Sequence, residues 1–121
     1  MRHKKKTIII DRKRGSRIAL IRILCIHLIE KGHITTTPIK AKAVRLQIEH
    51  LITKGKVKNL QTIRLLESVL ANKKAALRIV NTISPRFQKR AGGYTRLTKV
   101  APRKGDGADQ VILEFVSEDK K

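Results

Sequence analysis

Cysteine and histidine often serve nucleophilic and metal chemistry, and this sequence holds one cysteine and four histidines. Cys25 and His27 are two positions apart on a predicted helix, so their side chains point in different directions. His3, His33 and His50 lack the three- or four-residue spacing that places metal ligands on one helical face. We therefore predict no catalytic residue, no metal site and no cofactor, and we do not expect an enzyme.

A pair of glycines lies within a run of basic residues, in the segment Arg90-Ala-Gly-Gly-Tyr-Thr-Arg96. The spacing of Gly92 and Gly93 does not match nucleotide-binding loops, so no small-molecule substrate is expected. Glycines allow close approach of two backbones, and arginines bind phosphates, so the segment predicts contact with nucleic acid. For the glycines alone, a simple turn into a hairpin is an alternative. Tyr94 is interpreted either as a core ring or as a ring against a ribose or base.

The overall charge also indicates a polyanionic partner. Lys and Arg number 29 against nine Asp and Glu, which gives a net charge of +20. Residues 1–17 hold eight Lys or Arg and one Asp, and residues 86–104 hold seven Lys or Arg and no acid. The sequence has only three aromatic residues, which argues against modules that stack several bases on exposed rings. Phosphates and nucleic-acid shape are therefore the predicted targets.

The chain is long enough for one domain with a single core. Residues 1–15 are interpreted as a basic extension that becomes ordered along phosphates, with a solvated tail as the alternative. Ile8, Ile9 and Ile10 do not suit a purely basic tail, so we expect them to dock on the domain or on a neighbouring protein. Residues 16–116 are expected to form a globular α/β domain, and residues 117–121 a short polar tail.

The apolar stretch of residues 18–29 is too short and too polar to cross a bilayer, and the single cysteine excludes an internal disulfide. Nothing suggests secretion or a membrane partner, so the cytoplasm is the expected location. A membrane-surface peptide would need the two basic segments on one amphipathic helix, and they lie in an extension and a loop instead.

Capping residues and apolar spacing predict the first three elements. Ser16 is expected to cap a helix over about 17–31 that ends at Gly32. A strand follows over His33–Thr37. Thr37 and Pro38 then begin a second helix, which ends at Gly55.

Two more helices and a hairpin complete the predicted fold. Asn59 begins a third helix, with inward side chains at Leu60, Ile63, Leu66 and Leu70. Asn72 begins a fourth helix that ends before Pro85. Residues 94–100 and 110–116 should pair as an antiparallel hairpin. The result is a two-layer α/β (α+β) fold with a small sheet and the order α-β-α-α-α-β-β.

The candidate RNA-binding residues come from the extension, the second helix and the glycine segment. Lys40, Lys42 and Arg45 are interpreted as a ladder that follows a phosphate backbone. The full set is Arg2, His3, Lys4, Lys5, Lys6, Arg12, Lys13, Arg14, Arg17, Lys40, Lys42, Arg45, Arg86, Lys89, Arg90, Gly92, Gly93, Tyr94, Arg96, Lys99 and Arg103.

A DNA-binding module of the helix-turn-helix kind is the alternative function. The third and fourth helices are short and consecutive, and a recognition helix needs polar side chains that reach base edges. The fourth helix offers Lys73, Lys74, Arg78 and Asn81. Competition between duplex DNA and structured RNA would separate the two functions.

Several strings resemble the bacterial large-subunit ribosomal protein family numbered seventeen, and the match runs nearly end to end. The most specific is RAGGYTR at residues 90–96. The others are Met1-Arg-His, Thr36-Thr37 followed by Lys40-Ala-Lys42, Glu49-His-Leu-Ile-Thr53, and Arg103-Lys-Gly-Asp106.

The resemblance implies the same α-β-α-α-α-β-β domain and a structural role in the large ribosomal subunit. It also implies binding to 23S rRNA near the peptide exit, beside neighbouring large-subunit proteins. The implied location is a cytoplasmic ribosome, with an organellar ribosome left open. The sequence departs from the usual family pattern at Ser16, Ile23, Ala43 and Gly55.

Overall fold

The computed structural model describes residues 13–116, in which helices cover one face of a three-stranded sheet. The predicted extension up to residue 12 and the tail from residue 117 lie outside the described residues. The elements are α1 (Arg14–Lys31), β1 (His33–Thr36), α2 (Pro38–Gly55), α3 (Leu60–Leu70), α4 (Lys73–Arg78), a π-helical segment (Ile79–Ile83), α5 (Ser84–Arg86), β2 (Thr95–Val100) and β3 (Gln110–Phe115). Since α4, the π-helical segment and α5 are continuous, the predicted order α-β-α-α-α-β-β is confirmed.

The sheet has the strand order β1-β3-β2, and both pairs are antiparallel. The predicted hairpin of β2 and β3 is confirmed. Ile34 and Leu97 both lie opposite Leu113 in the register, and these three side chains belong to or pack on the hydrophobic core. Because side chains alternate along a strand, the opposite face carries polar residues such as Arg96 and Glu114. The domain therefore has one layer of helices and one layer of sheet.

The core is mainly aliphatic and continuous across both layers. Leu28 of α1, Ile48 of α2, Leu66 of α3, Ile79 of the π-helical segment and Leu113 of β3 each have no exposed surface and belong to one cluster. Full burial of such a side chain stabilises a fold by roughly 1.5–3 kcal/mol. This core accounts for folding of the domain without a disulfide.

The start of α1 differs from the prediction. Ser16 is not its cap, because α1 begins at Arg14, and Lys13 occupies the N-cap position with an extended backbone and no side-chain cap. The amide of Arg17 donates to the carbonyl of Lys13 at 2.9 Å, so Ser16 lies inside the first turn. The helix therefore begins within the segment predicted to be the extension. Its predicted end at Gly32 is confirmed by a left-handed φ of 83°.

Two asparagine caps are confirmed, and one core assignment is wrong. The side chain of Asn59 accepts a hydrogen bond from the amide of Thr62, and that of Asn72 accepts one from the amide of Ala75. Leu60 was predicted to face inward, but it is 60% exposed. It is the first residue of α3, ahead of the turn in which Leu66 begins the buried face.

The helix expected to end before Pro85 continues through it. Proline has no amide hydrogen, and its ring clashes with the carbonyl four residues earlier in a regular helix. Here the turn before the proline widens into a π-helix, in which the amide of Ser84 donates to the carbonyl of Ile79, five residues earlier. This wider turn accommodates Pro85 within α5 and carries the chain on to the glycine segment.

Candidate nucleic-acid interface

The glycine loop, residues 88–93, is bounded at both ends by buried aromatic rings. Phe87 and Tyr94 are 2% and 0% exposed, and their ring centroids are 5.3 Å apart at an angle of 49°. Pinning two ends seven residues apart against each other forces the intervening chain outward. Lys89, Gly92 and Gly93 are accordingly exposed.

The glycines of this loop have open space around them. A Cβ atom added at Gly92 or Gly93 would meet no atom within 4 Å. At Gly93 the backbone itself favours glycine, since its φ of 64° lies in the left-handed region. The loop therefore presents bare backbone to the outside, as close approach to another backbone requires.

One side of α2 holds the glycine loop and the start of β2. Thr53 Oγ1 lies 2.9 Å from the hydroxyl of Tyr94. Four residues earlier on α2, Glu49 Oε1 accepts a hydrogen bond from Thr95 Oγ1 at 3.1 Å. Residues four apart on a helix share a face. These two contacts therefore connect one face of α2 to the consecutive residues Tyr94 and Thr95 at the start of β2.

Lys56, directly after α2, completes this connection. Its ammonium donates to the carbonyl of Arg90 and lies 4.9 Å from the centroid of the Tyr94 ring. The Tyr94 hydroxyl is also 3.3 Å from the same carbonyl. Arg90 in turn donates from Nη1 to the carbonyl of Gly93 at 3.0 Å. The loop is therefore closed on itself and anchored to the helix end.

We define the α2–loop surface as the lysines at the end of α2 together with the basic residues of α5 and the glycine loop. The contact between Lys56 and the carbonyl of Arg90 joins the two segments that carry these residues. The charge count of the sequence missed the lysines, although their alternate spacing from residue 54 to residue 58 was a visible signal. The members are Lys54, Lys56, Lys58, Arg86, Lys89 and Arg90.

The predicted ladder on α2 does not form a single line. Lys42 is exposed, Lys40 is half-buried, and Arg45 lies 3.5 Å from Glu49 in an ion pair. Residues two apart on a helix point about 200° from each other, so Lys40 and Lys42 lie on different sides of α2. Of these three residues, only Lys42 is both exposed and without a carboxylate partner among the described residues.

Two other predicted arginines are paired with acids. Arg96 Nε lies 2.7 Å from Glu114 Oε1 across the sheet, where the two residues face each other in the register. Arg103 donates to both carboxylate oxygens of Asp106. Lys99 of β2 is exposed and has no acidic partner among residues 13–116.

Tyr94 belongs to the core. Its ring has no exposed surface and packs against Phe87, so it offers no face for a base. This outcome agrees with the core interpretation and corrects the inclusion of Tyr94 among direct RNA contacts. Its place in the glycine loop is that of an anchor.

The predicted extension is described only at its end. Lys13 and Arg14 are exposed at the start of α1, and Arg17 is half-buried one turn later. The other candidates of the extension and the three isoleucines expected to dock lie outside the described residues; they are Arg2, His3, Lys4, Lys5, Lys6, Ile8, Ile9, Ile10 and Arg12.

Cys25, the one sulfur nucleophile considered, is unsuited to reaction. Burial raises the pKa of its thiol to about 12, so the thiol is protonated at neutral pH. His27, two residues later, is exposed on another side of α1. Between residues 13 and 116, no group of three or more His, Cys, Asp or Glu residues is placed to hold a metal ion. The same part of the chain contains no helix with the length and apolarity needed to span a membrane.

The family model for ribosomal protein L17 matches residues 20–116, which include α2, the glycine loop and the whole sheet. The chain belongs to the ribosomal protein L17 family. The resemblance noted in the sequence is thereby confirmed. The L17 family consists of ribosomal proteins and is not an enzyme family.

Three curated relatives show how far the similarity to L17 proteins extends. The large ribosomal subunit protein bL17 of Bdellovibrio bacteriovorus is 49% identical over 117 residues, covering 97% of this chain and 65% of the relative. That of Nautilia profundicola is 43% identical over 122 residues, covering 98% and 100%. That of Solibacter usitatus is 42% identical over 116 residues, covering 96% and 77%. The chain thus spans about two-thirds of the Bdellovibrio relative and the full length of the Nautilia relative.

Proposed function

We propose that this protein is a structural constituent of the large ribosomal subunit, where it binds 23S rRNA beside neighbouring ribosomal proteins. The observation that carries the proposal is the α2–loop surface, in a chain whose relatives are named as large-subunit proteins. There Lys56 binds the carbonyl of Arg90 beside a loop of exposed glycine backbone, in which Lys89 is also exposed. The location that follows from this function is the ribosome, in the cytoplasm.

The chemistry of this surface suits a phosphate backbone rather than base edges. Arginine forks and lysine ammonium groups bind phosphate oxygens, and a backbone without side chains can come close to them. The described residues contribute further cations at Lys13, Arg14, Lys42 and Lys99. The basic extension of residues 1–15 would add phosphate contacts of the same kind. With no exposed aromatic ring in the glycine loop, affinity would come mainly from charge and shape.

Salt dependence tests this mechanism. Each phosphate neutralised releases bound counterions, so about eight contacts would give a slope near −7 in a plot of log affinity against log salt. We expect such a slope for the full-length protein with 23S rRNA. A slope near zero would contradict an electrostatic mechanism.

Co-sedimentation tests the function independently of the mechanism. The native protein should be recovered with the large ribosomal subunit after gradient centrifugation at moderate salt, and high salt should release it. Recovery mainly in the free pool at moderate salt would count against a structural role in the subunit.

DNA binding through α4 and the π-helical segment after it is the second candidate, because Lys73, Lys74, Arg78 and Asn81 are all exposed. These side chains could reach base edges in a major groove. Tighter and sequence-dependent binding to duplex DNA than to 23S rRNA would favour this function. Membership in a ribosomal protein family favours the RNA.

A further inference from the structure

We propose that Lys56 is a positioning residue, which orders the glycine loop for RNA without itself contacting a phosphate. The inference rests on the proposed function and adds a division of labour within the α2–loop surface. Lys56 would be a cation used inside the protein, whereas Lys89 would be a cation used at the RNA. Sequence alone does not separate them, since both are lysines in basic segments.

The position of the Lys56 ammonium is the first step. Lys56 is half-buried as a residue, and its ammonium donates to the carbonyl of Arg90 and lies over the face of the Tyr94 ring. A cation over an aromatic face gains from the negative charge of the π system, and a charged donor makes a stronger hydrogen bond than a neutral one. A move of the ammonium toward a phosphate would break both contacts.

The hydrogen-bond arithmetic of the neighbouring hydroxyls is the second step. Thr53 and Tyr94 each have one hydroxyl hydrogen. The Thr53 hydroxyl lies near the carbonyl of Glu49, the Tyr94 hydroxyl lies near the carbonyl of Arg90, and the two hydroxyls lie near each other, which makes three possible bonds. Two hydrogens cannot fully satisfy three bonds at once. An ammonium has three hydrogens, so Lys56 can serve the carbonyl of Arg90 without competition.

The weakness of the loop itself is the third step. Between Phe87 and Tyr94 the loop has neither helix nor strand. A Cβ built at Gly92 or Gly93 would have no atom within 4 Å, so these glycines are not packed against the rest of the domain on that side. Arg90 lies at its middle and bonds the carbonyl of Gly93. Anchoring the carbonyl of Arg90 therefore restrains the whole loop, and pre-ordering a loop reduces the entropy lost on binding.

The experiment compares full-length variants by their affinity and salt slope with 23S rRNA. Lys56→Met removes the donor but keeps the length of the side chain, and we expect about a tenfold loss of affinity. We expect its slope to equal that of the parent protein. Lys89→Met should lower the magnitude of the slope by about 0.7–0.9, as loss of one phosphate contact requires.

Two further variants separate positioning from general charge and from misfolding. Lys58→Met removes the same charge two residues away from Lys56, and we expect a smaller loss of affinity. Lys56→Arg keeps a cation and donors, and we expect it to recover most of the affinity. A smaller slope for Lys56→Met, or equal losses for Lys56→Met and Lys58→Met, would overturn the inference.

A measurement without RNA tests the same point. Backbone ¹⁵N order parameters of Gly92 and Gly93 should be high in the parent protein and in Lys56→Arg, and lower in Lys56→Met. Unchanged order parameters in Lys56→Met would also overturn the inference. Failure of the parent protein to bind 23S rRNA would instead contradict the proposed function, so the two failures are distinguishable.

Discussion

The glycine loop and the hairpin loop of residues 101–109 are both largely exposed, and both contain glycines and basic side chains, but they are held in different ways. In the hairpin loop, Arg103 binds the carboxylate of Asp106, which also accepts from the amide of Ala108 at 3.1 Å. The amide of Arg103 donates to the carbonyl of Ala108 at 2.9 Å, so this loop is closed by its own residues. The glycine loop also has an internal bond, from Arg90 to the carbonyl of Gly93, but it is held in addition by Lys56 and, through Tyr94, by Thr53, which lie more than 30 residues earlier in the chain.

The comparison shows that the charge a loop offers to an anionic partner depends on what each of its cations already contacts. Asp106 neutralises Arg103, whereas a carbonyl and an aromatic ring stabilise Lys56 without cancelling its charge. The glycine loop therefore keeps a positive field for an anionic partner, and the hairpin loop does not. Counting Lys and Arg over residues 86–104 placed Arg103 and Lys104 in the same basic segment as the glycine loop.

The largest expected effect comes from removing the ring that joins the glycine loop to the core. Tyr94→Ala should lower the free energy of unfolding by about 3–5 kcal/mol, because a fully buried aromatic side chain is lost. Lys104→Ala in the hairpin loop should change it by less than about 0.5 kcal/mol. Urea denaturation of both variants measures the contrast, and similar values would show that the two loops are not anchored differently.

A close contact behind the glycine loop gives the next effect. Gly55→Ala should lower the free energy of unfolding by about 1–2 kcal/mol, although alanine favours helices by about 1 kcal/mol. The new Cβ would lie 2.6 Å from Ser84 Oγ, whose hydroxyl donates to the carbonyl of Ile52, and 2.9 Å from Ile79.

The matched control for Gly55 is the same change in a Ser84→Ala background, which removes the nearer clash. The cost of Gly55→Ala should then be smaller, as measured by a double-mutant cycle in urea. An equal cost in both backgrounds would mean that Ser84 does not limit the space at Gly55.

A smaller effect compares single cations of the two loops directly. Lys89→Gln should reduce affinity for 23S rRNA several-fold and lower the magnitude of the salt slope by about 0.7–0.9. Arg103→Gln should change the slope by less than half of that, because Asp106 already neutralises Arg103. Titrations at several salt concentrations check both variants. A larger change for Arg103→Gln would reverse the assignment of the two loops.

The smallest expected effect is on the titration of Asp106 in the hairpin loop at low pH. The hydrogen bond from Arg103, aided by the amide of Ala108, lowers the pKa of Asp106 from 3.8 to about 2. A carboxylate with a lowered pKa stabilises the folded state above its unfolded pKa, and that contribution is lost as the pH falls toward 2. An NMR titration should place the Asp106 midpoint near 2, and Arg103→Gln should raise it. A midpoint near 3.8 in the parent protein would contradict the pair.

Local signals predicted the parts of the fold that local contacts determine. Asn59 and Asn72 were recognised as caps because the residues they serve are three positions away. The β2–β3 hairpin and β1 followed from β-branched runs between turn residues. The prediction that Ser16 caps α1 was wrong, because the helix begins earlier, with Lys13 at the N-cap. The prediction that the fourth helix ends before Pro85 was wrong, because a π-helical turn accommodates the proline.

The sequence predicted the basic glycine segment of the candidate site, but not the residues of α2 that hold it in place. The sequence indicated the basic glycine segment, yet the connection to Glu49, Thr53 and Lys56 joins residues 34 to 46 positions apart. Such pairing depends on how α2 lies against the sheet. For the same reason the buried position of Tyr94 was only one of two interpretations.

A map of the large ribosomal subunit containing this protein tests the central claim most directly. Our account predicts that Lys89 and the backbone of Gly92 and Gly93 lie against phosphates of 23S rRNA, with Lys56 still bound to the carbonyl of Arg90. A map in which the glycine loop faces solvent while the hairpin loop contacts the RNA would contradict it.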